Sequence, residues 1–203
     1  MMKKVVIGID LAGSDKRDTG FCVMDDKLNA KAFIVHTDDE LFQAIRQIRP
    51  KPKVIAIDAP LCLPLGRKRL EDRDAPHIRA CDRALYPMKI RFFPITLGPM
   101  RKLTARGIML KNKLEKQGHD VIEVFPGGAQ DILKIARKQD GMIRLMNGLK
   151  RQGIKGLHSR MNGDELDAVT SALVGLLYHQ KNYTALGDAR EGFMIMPKIQ
   201  DRT

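Results

Sequence analysis

The sequence predicts an α/β fold: a mixed five-stranded sheet in which three antiparallel strands precede parallel ones, with helices on both faces. Three observations lead there. Residues 4–10 (KVVIGID), 53–58 (KVIAID) and 120–125 (DVIEVF) are short, almost continuous apolar runs, the pattern of strands buried on both faces. Helical periodicity separates the later runs, which favours parallel placement in one sheet. Between Phe21 and His36, two strand-like runs are joined only by a polar turn, which favours an antiparallel meander with the first strand.

The elements follow in order. A polar loop, GSDKRDTG, separates the first strand from a second at Phe21–Asp25; a turn at 26–29 leads to a third at Ala32–His36. Thr37 and Glu40 then have the spacing of a capping box, opening a helix with Leu41, Ile45 and Ile48 on one side that stops before Pro50 and Pro52. After the fourth strand, residues 59–98 hold five prolines, many arginines and only a short helical stretch near 76–85, so an insertion is expected there within a single domain spanning 1–203. Residues 99–117 form a long amphipathic helix that Gly118 is placed to end. Beyond the fifth strand, Pro126-Gly127-Gly128 turns the chain into a helix through Ile132, Leu133 and Ile135. A glycine-punctuated basic stretch runs to Gly163, Asp164–Tyr178 is the last helix, and 191–196 is a candidate final strand.

Composition narrows the function classes. The chain has 203 residues, enough to bury a substantial core, and no apolar run approaches the ~20 residues of a membrane span. The amino-terminal run, 1–10, enters a strand without the cleavage region of a signal peptide, so a cytoplasmic location is expected. Cys22, Cys62 and Cys81 suggest neither a disulfide framework nor a cysteine zinc site. The formal net charge is +12. Its distribution is uneven: eleven Lys/Arg face four Asp/Glu between Arg67 and Arg106, and eight face one between Lys134 and Arg160. Such windows suit a polyanionic partner, or simply a solvated basic surface.

Against this basic background, the acids stand out. Asp10, Asp58 and Glu123 close three apolar strand runs, and Asp164 and Asp167 open the last helix. In parallel strands the three strand acids lie toward the carboxyl edge, where open α/β sheets bind ligands. Asp164 and Asp167 share one helix side, continued by Ala168, Ser171 and Gly175, small residues that allow a close approach to the sheet. Carboxylates gathered there must take up protons or share a cation, and hard oxygen ligands suit Mg2+ or Mn2+. Two such ions ~4 Å apart can activate water and stabilise a leaving oxygen in phosphodiester cleavage. Each acid also has a plainer role open to it: Asp164 as a helix N-cap, Asp58 as a turn residue before Ala-Pro, Glu123 as the partner of a basic neighbour.

The motifs GIDLAG (8–13), IDAPL (57–61), RACDRAL (79–85), ARG (105–107), IEVFP (122–126) and DELDAVTSAL (164–173) resemble the family catalogued as domain of unknown function 429, whose members are expected to be nucleases of the RNase H-like fold. The resemblance spans nearly the whole chain. It implies that Asp10, Asp58 and Asp167 hold two metal ions, with Asp164 matching the resolvase habit of two aspartates three apart; Glu123 departs from the superfamily's obligatory ligands. It also implies that Arg79, Arg83 and Arg106 contact phosphate, or else pair with acids. Arg67, Lys68, Arg69 and Arg101 join them as candidate nucleic-acid contacts.

The expected function is therefore a Mg2+- or Mn2+-dependent nuclease acting on DNA or RNA, with no membrane partner and with its oligomeric state unreadable. A non-catalytic nucleic-acid-binding protein is one alternative. Phosphotransfer of the actin-like or sugar-kinase type is another, which GIDLAGSDKRDTG resembles; the chain lacks the length for a second such domain and a second glycine-rich phosphate loop. With ten aromatic residues and no tryptophan, extensive stacking on single strands has little support.

Overall fold

The structure is a computed structural model and describes residues 4–14 and 16–199; residues 1–3 of the amino-terminal run, Asp15 of the polar loop and residues 200–203 lie outside it. Strands β1 (Val5–Asp10), β2 (Thr19–Asp25), β3 (Ala30–Val35), β4 (Ile55–Asp58), β5 (Val121–Val124), β6 (Tyr183–Asp188) and β7 (Gly192–Pro197) form one sheet in the order β3-β2-β1-β4-β5-β7-β6. β1 to β3 are antiparallel, β1, β4 and β5 are parallel, and β7 extends the parallel set before turning back antiparallel into β6. The first five strands have the arrangement implied by the RNase H-like resemblance. The sheet is wider than the five strands expected: the run at 191–196 is β7, and its partner β6 was not anticipated.

Helices α1 (Asp38–Gln47), α2 (Ala80–Arg83), α3 (Gly98–Lys116), α4 (Pro126–Ile132), α5 (Met142–Arg151) and α6 (Gly163–His179) divide between the two faces. Ile7, Ile9, Ile55 and Ile57 pack with Leu41 and Ile45 of α1 and with Leu110 and Leu114 of α3. On the other face Val6, Ala56 and Val124 pack with Ala129 of α4, Leu145 and Leu149 of α5, and Ala168, Val169 and Ala172 of α6. Alternation along each strand assigns every side chain to one face or the other. The basic stretch before Gly163 is not irregular throughout, since it contains α5 and a 3-10 turn at Lys138–Asp140. Leu145, Met146 and Leu149 give α5 a buried side while its lysine and arginine residues stay in water.

α1 begins at Thr37, whose hydroxyl accepts from the Glu40 amide at 3.1 Å, while the Glu40 carboxylate reaches back one residue further, to the His36 amide. From Ala59 to Leu97 the chain is mostly irregular, α2 being its one helix.

α6 lies almost on the backbone of β1 and β2. A Cβ on Gly8 would stand 2.1 Å from the Ala168 carbonyl oxygen, and one on Gly20 would stand 2.1 Å from that of Asp164. Further along, Gly175 passes over Ala56. The helix starts one residue earlier than expected, with Asn162 as its cap: Asn162 accepts from the Glu165 amide at 2.9 Å and Glu165 accepts from the Asn162 amide at 2.8 Å. Asp164 is thus released from capping.

Gly8→Ala is expected to cost roughly 3 kcal/mol or more of stability, because the clash is with backbone and cannot be relieved by a rotamer change. Gly98→Ala, at a site with nothing within 4 Å of the added methyl, serves as the control and is expected to be neutral. Urea denaturation of both variants checks this; equal midpoints would overturn the close-approach account.

Candidate active site

β1 and β4 bring the first two acids together by register alone. Asp10 and Asp58 are paired Cα partners on adjacent parallel strands, and Asp10 also faces Gly20 across the antiparallel pair. Gly20 lies directly under the first turn of α6, so the helix delivers Asp164 and Asp167 to the same place. Three of these carboxylates converge on one cation, the ammonium of Lys138, which lies 2.9 Å from Asp167 Oδ2, 3.3 Å from Asp164 Oδ1 and 3.5 Å from Asp10 Oδ2. Gln130 of α4 holds the other Asp167 oxygen, Oδ1, by donating to it at 2.7 Å, and donates also to the Thr170 hydroxyl at 3.1 Å. Asp167 is nearly buried, whereas the Asp164 side chain is 43% exposed and forms the rim.

Glu123 is not a member of this group. Its register partner is Ile57, not Asp58, so alternation turns it to the opposite face of the sheet. There its Oε2 accepts from the Leu61 amide and from Arg79 Nη1, both at 2.7 Å. Arg79, 2% exposed, also donates to both carboxylate oxygens of Asp82, at 3.0 and 2.7 Å. This buried Glu123–Arg79–Asp82 chain fastens α2 to β5. The plainer reading of Glu123, partner of a basic neighbour, describes its place.

The basic candidates divide in the same way. Arg67 is buried and donates to the carbonyls of Pro76, Arg69, Leu70 and Ala75, acting as a clasp for its own loop. Arg106 pairs with Asp38 at 2.7 Å and donates to the carbonyls of Ala12 and Ser14. Buried guanidinium groups with their donors so engaged are not presented to a phosphate, so Arg67, Arg79 and Arg106 are corrected from nucleic-acid contacts to internal ties. Lys68, Arg69, Arg83 and Arg101 are exposed, with Arg83 and Arg101 each donating to a nearby carbonyl.

The family model for "Protein of unknown function (DUF429)" matches residues 8–191, from the middle of β1 to the turn before β7. The chain belongs to the DUF429 family. No curated protein matches this DUF429 chain in sequence. Among solved structures, a T. thermophilus RuvC in complex with a Holliday junction substrate aligns with a TM-score of 0.49 and 16% identity, covering 88% of this chain and 96% of that one. A second Thermus thermophilus RuvC structure aligns with a TM-score of 0.43 and 14% identity, covering 87% and 96%.

In the DUF429 chain, electrostatics of the acid group are dominated by burial. Loss of hydration pushes the Asp10 carboxyl up to about 7; Lys138 pulls against that shift, and Asp167 and Asp164 add to it. Asp58 is pushed well above the ordinary carboxylate range by burial first and then by Asp10 and Asp167. Burial pulls the Lys138 ammonium down, yet its carboxylate partners outweigh this and hold it above its usual value. Such a site asks for positive charge. Its donors are all hard oxygens, and a cation already stands between three of them, which is the chemistry a divalent ion requires. Among the described residues no three acidic, histidine or cysteine side chains form a ready cation cage; three of the acids are arranged around Lys138.

Lys138 and Gln130 are the site residues that sequence reasoning missed. Lys138 was counted only as part of a basic stretch, and Gln130 as part of a helix. The available signal for Gln130 was its position: it sits in a helix joined directly to β5, and a helix that follows a parallel strand starts at that strand's carboxyl end.

Between pH 4 and 7 the folded chain retains a proton on Asp10 that the unfolded chain has lost. The raised value therefore costs stability as pH rises through that window, and fully so at pH 8. In chelator at pH 8, Asp10→Asn is expected to be more stable than wild type by roughly 2–4 kcal/mol, the two converging below pH 4. Urea unfolding across pH measures it; a variant less stable than wild type at pH 8 would contradict the electrostatic account.

Proposed function

We propose that the protein is a metal-dependent nuclease that hydrolyses phosphodiester bonds of a nucleic acid at the Asp10–Asp58–Asp164–Asp167 cluster. The observation that carries the reading is the convergence of Asp10, Asp164 and Asp167 on a single cation position beside Asp58, at the carboxyl edge of the parallel strands. Asp10, Asp58, Asp164 and Asp167 would hold Mg2+ or Mn2+. A metal held there would supply an activated water and offset charge on the leaving oxygen.

The chain's own residues do the rest. Gln130 fixes one oxygen of Asp167 and so aims the other at the cation position. Asp10 and Asp58 anchor the floor of the site on rigid strands, while the exposed Asp164 stands where a substrate phosphate arrives. Lys68 and Arg69 on the loop after β4, Arg83 at the end of α2 and Arg101 at the start of α3 are exposed and supply the positive surface that attracts a phosphate backbone. Lys138 keeps Asp10, Asp164 and Asp167 gathered until another cation takes its place.

Two measurements test this. Wild type should cleave at least one member of a panel of duplex, single-stranded and branched DNA and RNA in Mg2+ or Mn2+, and Asp10→Asn should lower the rate at least about 100-fold. Equal cleavage by the variant would remove the acid cluster from catalysis, and binding without metal-dependent cleavage of any substrate would favour a non-catalytic nucleic-acid-binding protein. Separately, Lys138→Met should bind Mn2+ about tenfold more tightly by calorimetry, since it removes a like charge from the same position. Unchanged or weaker affinity would mean that Lys138 and the metal do not share that position.

A further inference from the structure

On the face of the sheet opposite the acid cluster lies a second group of reactive side chains that the nuclease reading does not use. Cys62 follows β4 and Cys81 lies in α2, and both sulfurs sit on the same ion-pair group, Cys62 Sγ beside Arg79 and Cys81 Sγ donating to Asp82 Oδ1 at 3.9 Å. Both rest on the closing end of the β6–β7 hairpin. Cys62 Sγ is 3.3 Å from where a Cβ on Gly192 would stand, and Cys81 Cβ is 3.3 Å from where one on Gly187 would stand, the two glycines being one register step apart. Arg79 Nη1 donates to Cys62 Sγ at 3.6 Å. A pocket of about 350 Å³ opens onto Cys62, with Leu61, Glu123, Gly192 and Phe193 in its lining. Cys62 is half-buried and faces that opening, Cys81 is 1% exposed, and Cys22 is fully buried in the core on the α6 face.

We propose that Cys62 and Cys81 are a peroxide-responsive thiol pair, Cys62 attacking the peroxide and Cys81 resolving the product to an intramolecular disulfide. The arrangement has the parts this chemistry needs: one sulfur at a pocket mouth accepting from a fixed guanidinium, and a second, shielded thiol held on the same Arg79–Asp82 pair. The neighbouring Cys81 thiol, and after it the Arg79 guanidinium, lower the Cys62 thiol from its usual value, against burial and the charge of Glu123. The Cys62 thiol first, and then burial, push Cys81 up, so Cys81 keeps the proton while Cys62 is the nucleophile.

The step balances with hydrogen peroxide as oxidant. The Cys62 thiolate attacks one peroxide oxygen, the O–O bond breaks, and hydroxide leaves as water, giving a sulfenic acid on Cys62. Cys81 sulfur then attacks the Cys62 sulfur; the S–O bond breaks, and the departing hydroxide takes the Cys81 proton as a second water. Two thiols and one peroxide thus give one disulfide and two waters, and a dithiol reductant restores the pair by exchange. The disulfide ties the beginning of the 59–97 stretch to its one helix. This inference is independent of the nuclease reading, since it uses no residue of the acid cluster.

The test treats the native full-length chain with hydrogen peroxide, with and without dimedone, and maps the cysteine peptides. Wild type is expected to lose two hydrogens and yield a Cys62–Cys81 cross-linked peptide. Cys81→Ser is expected to accumulate the dimedone adduct on Cys62, and Cys62→Ser to show neither product. Iodoacetamide at pH 7 should label Cys62 at least about tenfold faster than Cys81 or Cys22. The proposal is overturned if wild type shows no intramolecular Cys62–Cys81 link, or if peroxide modifies Cys22 or Cys81 in preference to Cys62. Because wild type alone gives the cross-link, neither variant's folding decides the outcome.

Discussion

The contact between α6 and the backbone of β1 and β2 is the constraint on which the site depends. It is an approach that only glycine permits, with Gly8 beneath Ala168 and Ala172 and Gly20 beneath Asp164. Because Gly20 is also the cross-strand partner of Asp10, the position of closest contact is the position of the first acid. Asp167, one turn further along α6, is then brought to within reach of the same lysine that touches Asp10. An alanine helix stripe over branched strand residues would stand higher, and Asp10, Asp164 and Asp167 would be neighbours on the fold diagram without sharing a cation. The asparagine cap at 162 completes the arrangement by satisfying the helix start without consuming Asp164.

Gathering carboxylates at a half-buried edge is unfavourable unless positive charge enters with them. The chain meets that requirement twice, on opposite faces, by different means. On the α6 face the charge is Lys138, a single ammonium on a flexible stem carried by a short 3-10 turn, a group that can leave. On the α3 face it is Arg79, whose fork is committed to Glu123 and Asp82 within a nearly dry interior. A lysine at the first site and an arginine at the second match an exchangeable cation and a permanent tie. Buried ion pairs of the second kind are seldom strong sources of stability, but removing either member strands the other, which makes the link between α2 and β5 hard to lose.

Much of the frame was legible in the chain. Apolar runs located β1, β4 and β5 because buried parallel strands leave no other composition, and the small residues of α6 announced a close approach. β6 was not legible, since Tyr183–Asp188 is a half-exposed edge strand whose pairing with β7 rather than its composition creates it. α5 was hidden by its glycines and basic residues, although Leu145, Met146 and Leu149 supply a buried side. Glu123 was grouped with Asp10 and Asp58 because distance from the strand end was counted and parity was not. A one-residue difference in register sends a side chain to the other face, and register is a property of the assembled sheet. The arginines misread as phosphate contacts show the same limit: charge in a window says nothing of which guanidinium groups turn inward to hold carbonyls, as Arg67 and Arg106 do.

The carboxyl end of β4 is where the two faces are mechanically joined. Asp58 points toward the acid cluster, and the Leu61 amide, three residues later, is held from the other side of the sheet by Glu123. Cys62 follows at once, against Arg79 and the β6–β7 hairpin. Any change in the Arg79–Glu123 network is therefore felt within four residues of an acid of the proposed catalytic group, whereas the loop at 67–76 is clasped to itself by Arg67. Glu191 adds a second anchor from the hairpin, its carboxylate accepting from the Leu65 and Ala80 amides at 2.8 and 2.6 Å. The 59–97 stretch is thus held by hydrogen bonds at the points nearest Asp58 and turns lysine and arginine side chains to solvent farther along, the division expected if one end positions a site and the other meets a partner.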